Sequence, residues 1–130
     1  MDGAAKQWGI VMSAEIRLTL RMDVDGHPAL GHGKIRLLEQ LAESGSISAA
    51  GRAMGMSYRR AWLLIDALNS QFHTPVVETR PGGGGGARLT ETGKTVIRCY
   101  RQAEHDARAG ARAPLDELAS LLRPENDAAS

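Results

Sequence analysis

Between Ser46 and Phe72 the chain reads SISAAGRAMGMSYRRAWLLIDALNSQF, two helical patterns joined across Gly55. A joint this short makes the two helices cross and share one side, so this stretch constrains the fold more than any other. Ser46 can cap the first helix, its hydroxyl accepting from an amide of the first turn. Ile47, Ala50 and Met54 recur at spacings of three and four, and Ala49, Ala50 and Ala53 are small enough for a neighbouring helix to come close. Gly55 stands where a residue of positive φ ends the helix. Met56 is an apolar plug behind the turn, and Ser57 can cap the second helix. On that helix Ala61, Leu64, Ile65 and Leu68 share a face, which predicts burial. At about 100° per residue, Arg59 points away from that face. Asp66 and Ser70 lie on the same outer side, Tyr58 and Arg60 flank it, and Trp62 sits at its boundary. A basic and aromatic N-terminal half on a second helix suits the reading of base edges in a major groove, where a guanidinium can pair with two acceptors on guanine. Taken by itself, the pattern equally describes a solvated face with two ordinary arginines.

The next segment favours the first alternative. Val76-Val77-Glu78-Thr79-Arg80 is rich in β-formers, Pro81 and the glycines Gly82 to Gly86 follow, and Ala87-Arg88-Leu89-Thr90 is a second short run. Two such runs around a flexible loop predict a hairpin, and a hairpin directly after a helix-turn-helix is a wing. Arg80 and Arg88 flank the loop and can neutralise phosphates, while the bare backbone at Gly83, Gly84 and Gly85 can approach a phosphate chain closely. A linker would need neither β-branched residues before the glycines nor a helix cap after them.

The flanking segments supply support. Ile16, Leu18, Leu20, Met22 and Val24 alternate with polar residues from Glu15 to Val24, the signature of a half-buried strand, and the wing hairpin is its expected partner. Asp25-Gly26-His27-Pro28 reads as a turn. Lys34 to Ser44 predicts a helix burying Ile35, Leu38, Leu41 and Ala42, with Leu37 beside them, closed by Gly45. After the wing, Thr90 can cap a long helix whose first turn holds Glu91, as the helix dipole favours. Val96, Tyr100, Ala103 and Ala107 then recur at alternating four and three, and Leu115, Leu118 and Leu122 extend a similar stripe beyond Pro114, which must break or restart the helix. A narrow stripe predicts a helix–helix seam with a second copy of the chain, the alternative being a return onto its own core. The expected division is a flexible N-terminus over 1–14, a winged helix-turn-helix domain with its dimerisation helix over 15–112, and a C-terminal helix with a disordered tail over 113–130.

Composition decides less than distribution. A length of 130 residues suits one domain, and a formal net charge of +1 does not announce nucleic acid. From Ser46 to Arg88, however, Arg52, Arg59, Arg60, Arg80 and Arg88 face only Asp66 and Glu78, whereas the C-terminal tail carries Asp116, Glu117, Glu125 and Asp127. The lone Cys99 excludes an internal disulfide, fits a reducing compartment, and in a helical pattern is expected to be a small packed residue. No apolar run is long enough to span a membrane and no signal peptide is recognisable, so the cytoplasm is the expected location. Gly93-Lys94-Thr95 fails as a phosphate loop because Arg88 stands where a glycine is required, and Gly33-Lys34 fails because Pro28 and Ile35 occupy the defining positions. His27, His32, His73 and His105 are scattered, and no nucleophile is paired with a base. No catalysis, cofactor or metal site is expected.

The order strand, helix, helix-turn-helix, wing and long helix resembles the N-terminal DNA-binding domain of the ModE family of molybdate-responsive regulators. The matching stretches are Gly33-Lys34-Ile35 through Leu41, Gly45-Ser46-Ile47-Ser48-Ala49-Ala50, Met56-Ser57-Tyr58-Arg59-Arg60-Ala61-Trp62, and the glycine-rich wing ending Leu89-Thr90-Glu91-Thr92-Gly93. The helix-turn-helix and the wing's ending are also similar to LysR-type regulators. The resemblance implies a mainly α fold with a small β-sheet, a winged helix-turn-helix transcription regulator that binds double-stranded DNA and dimerises through its outer helix. Family contacts to DNA map onto Ser57, Tyr58, Arg59 and Trp62, and wing contacts onto Arg80, the glycines and Arg88. Members of the family continue into C-terminal domains that bind molybdate. These residues end where those domains would begin, so molybdate binding is not expected of them. The competing expectation is a winged-helix protein-interaction module that does not read DNA.

Overall fold

The computed structural model describes residues 15–80 and 86–123. The expected flexible N-terminus, the wing-loop glycines Gly83, Gly84 and Gly85, and the expected disordered tail beyond Arg123 lie outside the described residues. The architecture is mainly α with two small antiparallel sheets: β1 (Arg21–Val24), β2 (His27–Gly31), α1 (His32–Ser44), α2 (Ile47–Ala53), α3 (Tyr58–Gln71), β3 (Val77–Thr79), β4 (Ala87–Leu89), α4 (Glu91–Gly110) and α5 (Arg112–Leu121). The chain divides into two compact units, Thr19–Glu104 and a smaller one formed by Met1–Leu18 with His105–Ser130.

In the larger unit the helices form as their local signals require. The Ser46 hydroxyl accepts from the Ala49 amide at 3.1 Å, the Ser57 hydroxyl from the Arg60 amide at 3.1 Å, and the Thr90 hydroxyl from the Gly93 amide at 3.0 Å. Each satisfies an amide that the first helical turn leaves unpaired. Gly55 adopts a φ of +70°, the left-handed conformation that ends the α2 segment and reverses the chain into α3. α1 packs on α2, and α2 on α3. The core gathers Ile35, Leu37, Leu38 and Leu41 from α1, Ile47 and Ala50 from α2, Ala61, Ile65 and Leu68 from α3, Val76 and Val77, and Val96 and Tyr100 from α4. Close approach of α2 to α3 depends on Gly51, where an added methyl group would lie 3.1 Å from the Ala61 Cβ, rather than on Ala53, which is exposed.

Four expectations outside the helix-turn-helix are corrected. The N-terminal strand is Arg21–Val24 only, and it pairs with β2 rather than with the wing. Asp25 and Gly26, at φ of 51° and 81°, make a two-residue reversal, and His27 and Pro28 already belong to the returning strand. Positive φ at both central residues matches the twist of the flanking strands, so a hairpin closes locally and needs no distant partner. The register shifts between Met22 and Asp23, with Pro28 opposite Asp23, where a residue lacking an N–H is tolerated. On α1, Leu37 is fully buried whereas Ala42 is exposed. The helix is flanked by α2, β2 and β4, so its buried stripe is wider than one seam. Finally, Cys99 is exposed, not packed.

Within the larger unit α4 is held by polar contacts as well as by Val96 and Tyr100. The buried Tyr100 hydroxyl donates to the Leu20 carbonyl at 2.6 Å. The Arg101 guanidinium donates to both Glu39 oxygens of α1, at 3.0 and 2.9 Å, and to Glu104 at 2.8 Å. These hydrogen bonds from Arg101 hold the Glu39 carboxyl below the usual carboxylate range, against the opposing effect of partial burial. The break between α4 and α5 falls at Ala111, and Pro114 occupies the first turn of α5, where its missing N–H removes no intrahelical bond. The proline therefore accompanies a restart, as its position in the sequence requires. In the smaller unit the Arg108 guanidinium donates to the Leu18 carbonyl at 3.2 Å, and Leu118 and Leu121 of α5 and Leu122, which caps it, are exposed.

Candidate nucleic-acid interface

α3 turns Ala61, Ile65 and Leu68 into the core, which fixes the opposite face outward. Tyr58, Arg59, Arg60 and Trp62 are all exposed in its first two turns, and Ser57, which caps the helix, is exposed beside them. Among the described residues neither Arg59 nor Arg60 has a side-chain hydrogen-bond or ion-pair partner, so both charged heads are available to a ligand. Arg52, on α2, donates instead to the Ser48 hydroxyl at 3.0 Å. Ser46 is half-buried; its hydroxyl is engaged as the cap of α2 and its backbone bridges to Gly86 of the wing.

The wing is the expected hairpin, shorter than its sequence suggests. Val77 pairs with Leu89, Glu78 with Arg88 and Thr79 with Ala87, and the Arg80 amide closes the ladder onto the Gly86 carbonyl at 3.0 Å. The Ala87 amide donates to the Gly45 carbonyl at 3.0 Å, so the wing lies against the turn between α1 and α2. Arg80 and Arg88 are both exposed, and with Glu78 and Thr79 they line a depression of about 310 Å³. Arg88 is not free: its Nε lies 3.2 Å from Glu78 Oε1. The sequence expectation counted Arg88 as an available cation because cross-strand register could not be read without the loop geometry.

A buried joint between α3 and the wing was not legible from sequence. Asn69 of α3 accepts from the amides of Val76 and Val77, at 2.8 and 3.1 Å, and donates to the Val77 carbonyl at 3.2 Å. The Val76 carbonyl accepts from the Thr90 amide at 3.0 Å. Gly93 sits so close to that carbonyl that a Cβ would lie 2.2 Å from its oxygen. The glycine that failed as part of a phosphate loop thus lets α4 pack tightly against the residue that leads into the wing. One signal could have been followed: a polar residue at position 69, next to the buried Leu68, needs partners for its amide.

The expected dimerisation stripe divides. Val96 and Tyr100 are 8% and 1% exposed and belong to the chain's own core, whereas Ala103 and Ala107 are half-buried. Val96, Tyr100 and Ala103 border a largely apolar groove of about 680 Å³, lined also by Met22, Leu30, Phe72 and Cys99. Among the described residues no group of three or more His, Cys, Asp or Glu side chains is placed to hold a metal ion, and no helix is long and apolar enough to cross a membrane.

Residues 32–94 match the model of bacterial regulatory helix-turn-helix proteins of the lysR family. The chain is 47% identical over 74 residues to the molybdenum-pterin-binding protein MopA of Rhodobacter capsulatus, a match covering 55% of this chain and 28% of MopA. It is 35% identical over 105 residues to the molybdenum transport protein ModE of Azotobacter vinelandii, covering 79% of this chain and 37% of that protein. The chain therefore spans well under half the length of these relatives. Among solved structures it is similar to the DNA-binding domain of CbnR in a complex with DNA, at a TM-score of 0.51 and 21% identity, covering 65% of this chain and 94% of that one. That likeness extends to the fold. The resemblance to ModE-type and LysR-type domains thus holds in sequence, and the fold is that of a winged helix-turn-helix.

Proposed function

We propose that the chain is a DNA-binding transcription regulator of the LysR/ModE type that reads a specific sequence as a homodimer. The observation that carries this reading is the outer face of α3: Tyr58, Arg59, Arg60 and Trp62 are exposed together behind a Ser57 cap, while Ala61, Ile65 and Leu68 hold the opposite face in the core. In such domains the N-terminal residues of the second helix enter the major groove. Arg59, at the centre of the outer face, would take guanine acceptors. Arg60, Arg80 and Arg88 would contact phosphate, Ser46 and Ser57 would contribute polar contacts, and the wing backbone at Gly83, Gly84 and Gly85 would follow the phosphate chain. The dimer would use the exposed apolar groove beside Val96, Tyr100 and Ala103, with Ala107 continuing the stripe along α4. Val96 and Tyr100 then act as its floor rather than as its contact surface.

Selection of bound duplexes from a random pool at near-physiological salt tests this reading. An inverted repeat with half-sites about one helical turn, or ~34 Å, apart is the expected product. Arg59→Ala should weaken binding to that sequence by about 1–3 kcal/mol and blur one base preference per half-site. An equal loss on every duplex would remove base reading from Arg59. No enriched sequence would favour the protein-interaction module. Repeating the selection with molybdate connects the experiment to the relatives named for molybdenum. The reading proposed here requires no effector.

A further inference from the structure

Tyr58 and Trp62 stand one helical turn apart on α3, 51% and 42% exposed, and with Arg59 they line a shallow depression of about 330 Å³ on its outer face. Residues four apart are surface neighbours on a helix. Neither ring belongs to the core, whose contribution from α3 is Ala61, Ile65 and Leu68. Two large aromatic surfaces left in water carry a hydrophobic cost that phosphate or guanine contacts would not relieve. The depression thus joins apolar walls to one guanidinium with no partner among the described residues.

In a duplex major groove one base edge carries an apolar group, the C5-methyl of thymine. Base faces are stacked and out of reach, so the rings cannot be serving as a stacking platform there. Resting on the DNA-reading function proposed above, we infer that the depression between Tyr58 and Trp62 receives a thymine methyl group while Arg59 takes the acceptors of a neighbouring base. The helix then specifies a thymine next to a guanine, each by a different chemistry. Loss of the methyl group would expose roughly one methylene equivalent of apolar surface, a change of about fourfold in affinity.

Replacing single thymines of the selected duplex by deoxyuridine removes the methyl group and nothing else. Equilibrium binding of each duplex is measured for the wild type and for Tyr58→Ala, Trp62→Ala, the double variant and Arg59→Ala. All these positions are exposed, and an unchanged unfolding temperature confirms that each variant folds. The expected result is one thymine per half-site whose replacement costs the wild type about fourfold. That penalty should shrink to less than about 1.5-fold in the double variant and persist in Arg59→Ala. If an inverted repeat is enriched but no thymine responds, or if the response survives in the double variant, the methyl pocket is wrong while DNA reading stands. If no duplex is enriched, both are overturned.

Discussion

Arg88 is the wing cation assigned to phosphate, yet in the free chain Glu78 holds its Nε at 3.2 Å across the hairpin, with the two side chains 72% and 52% exposed. A phosphate must compete with that carboxylate. At this separation the Coulomb attraction in water is about 1.3 kcal/mol before screening, and exposed pairs of this kind are worth about 0–1 kcal/mol once ordering and salt are included. Replacing Glu78 by glutamine keeps the shape and removes the competitor, so Glu78→Gln should tighten binding to every duplex by up to about fivefold, independent of sequence. Arg88→Ala should weaken all duplexes and flatten the slope of log K against log salt by about 0.9. In an Arg88→Ala background most of the benefit of Glu78→Gln should vanish, because the two act through one contact. Fluorescence anisotropy with a labelled duplex, between about 50 and 200 mM salt, measures all four corners of this cycle. Equal gains from Glu78→Gln with and without Arg88 would refute the reasoning. So would an unchanged salt slope in Arg88→Ala, since it would mean that Arg88 never reaches a phosphate.

Further consequences concern the frame. Gly93→Ala would place a methyl group 2.2 Å from the Val76 carbonyl oxygen, a backbone atom that cannot step aside, and should cost about 3 kcal/mol or more in urea unfolding; a cost below about 1 kcal/mol would show that α4 can shift. Asn69→Ala leaves the buried amides of Val76 and Val77 without their acceptor and should cost about 2–3 kcal/mol, with a loss of DNA affinity although Asn69 itself touches no DNA in the proposed mode. Glu39 has a lowered pKa in the folded chain, so its stabilising contribution is present above the unfolded value and is lost as pH falls through the folded one. Glu39→Gln should therefore cost about 1–3 kcal/mol at neutral pH, and the gap to wild type should close on acidification in a pH series of thermal unfolding; a gap independent of pH would mean that the Arg101 contact does not contribute.

What the sequence discloses and what it conceals follow from the range of the interactions. The caps at Ser46, Ser57 and Thr90, the reversal at Gly55 and the inward face of α3 depend on residues within a few positions, and each appears where its pattern predicts. The wing's pairing is legible for the same reason, since its two runs flank one loop. The β1–β2 hairpin was also a local signal, but Pro28 drew the turn two residues too far along and left β1 without its true partner. Val96 and Tyr100 share one spacing with Ala103 and Ala107, and periodicity alone cannot say whether a stripe meets the chain's own core or a second copy. Leu37, expected beside the buried face, is fully buried and Ala42, expected in it, is exposed, because α1 is covered from more than one side. Glu39 with Arg101, and Asn69 with Val76, join residues far apart in sequence or across a turn, and no spacing rule announces such pairs. The outer-face residues of α3 were legible as exposed, whereas the hold of Glu78 on Arg88 required the register.

The backbone of Val76 is where the candidate interface acquires its geometry. Its amide is fixed by Asn69 from α3, its carbonyl by the Thr90 amide at the start of α4, and Gly93 packs against that carbonyl. The next residue, Val77, begins the wing and is held by the same asparagine. A tilt of α3 relative to the wing would have to break these buried hydrogen bonds together, leaving polar groups unpaired in the core, which is far more costly than breaking one contact exposed to water. The wing is also tied on its other side, through the Ala87 amide to Gly45 and the bridge to Ser46 at the cap of α2. The arginines of α3 and of the wing are therefore carried on one frame rather than on two independently moving elements. That matters for the proposed DNA-binding role, because a chain with a net charge of only +1 would have weak long-range attraction to a duplex. In the proposed mode such a chain would gain affinity chiefly from having its few cations already held in one arrangement, so that little ordering entropy is lost on binding.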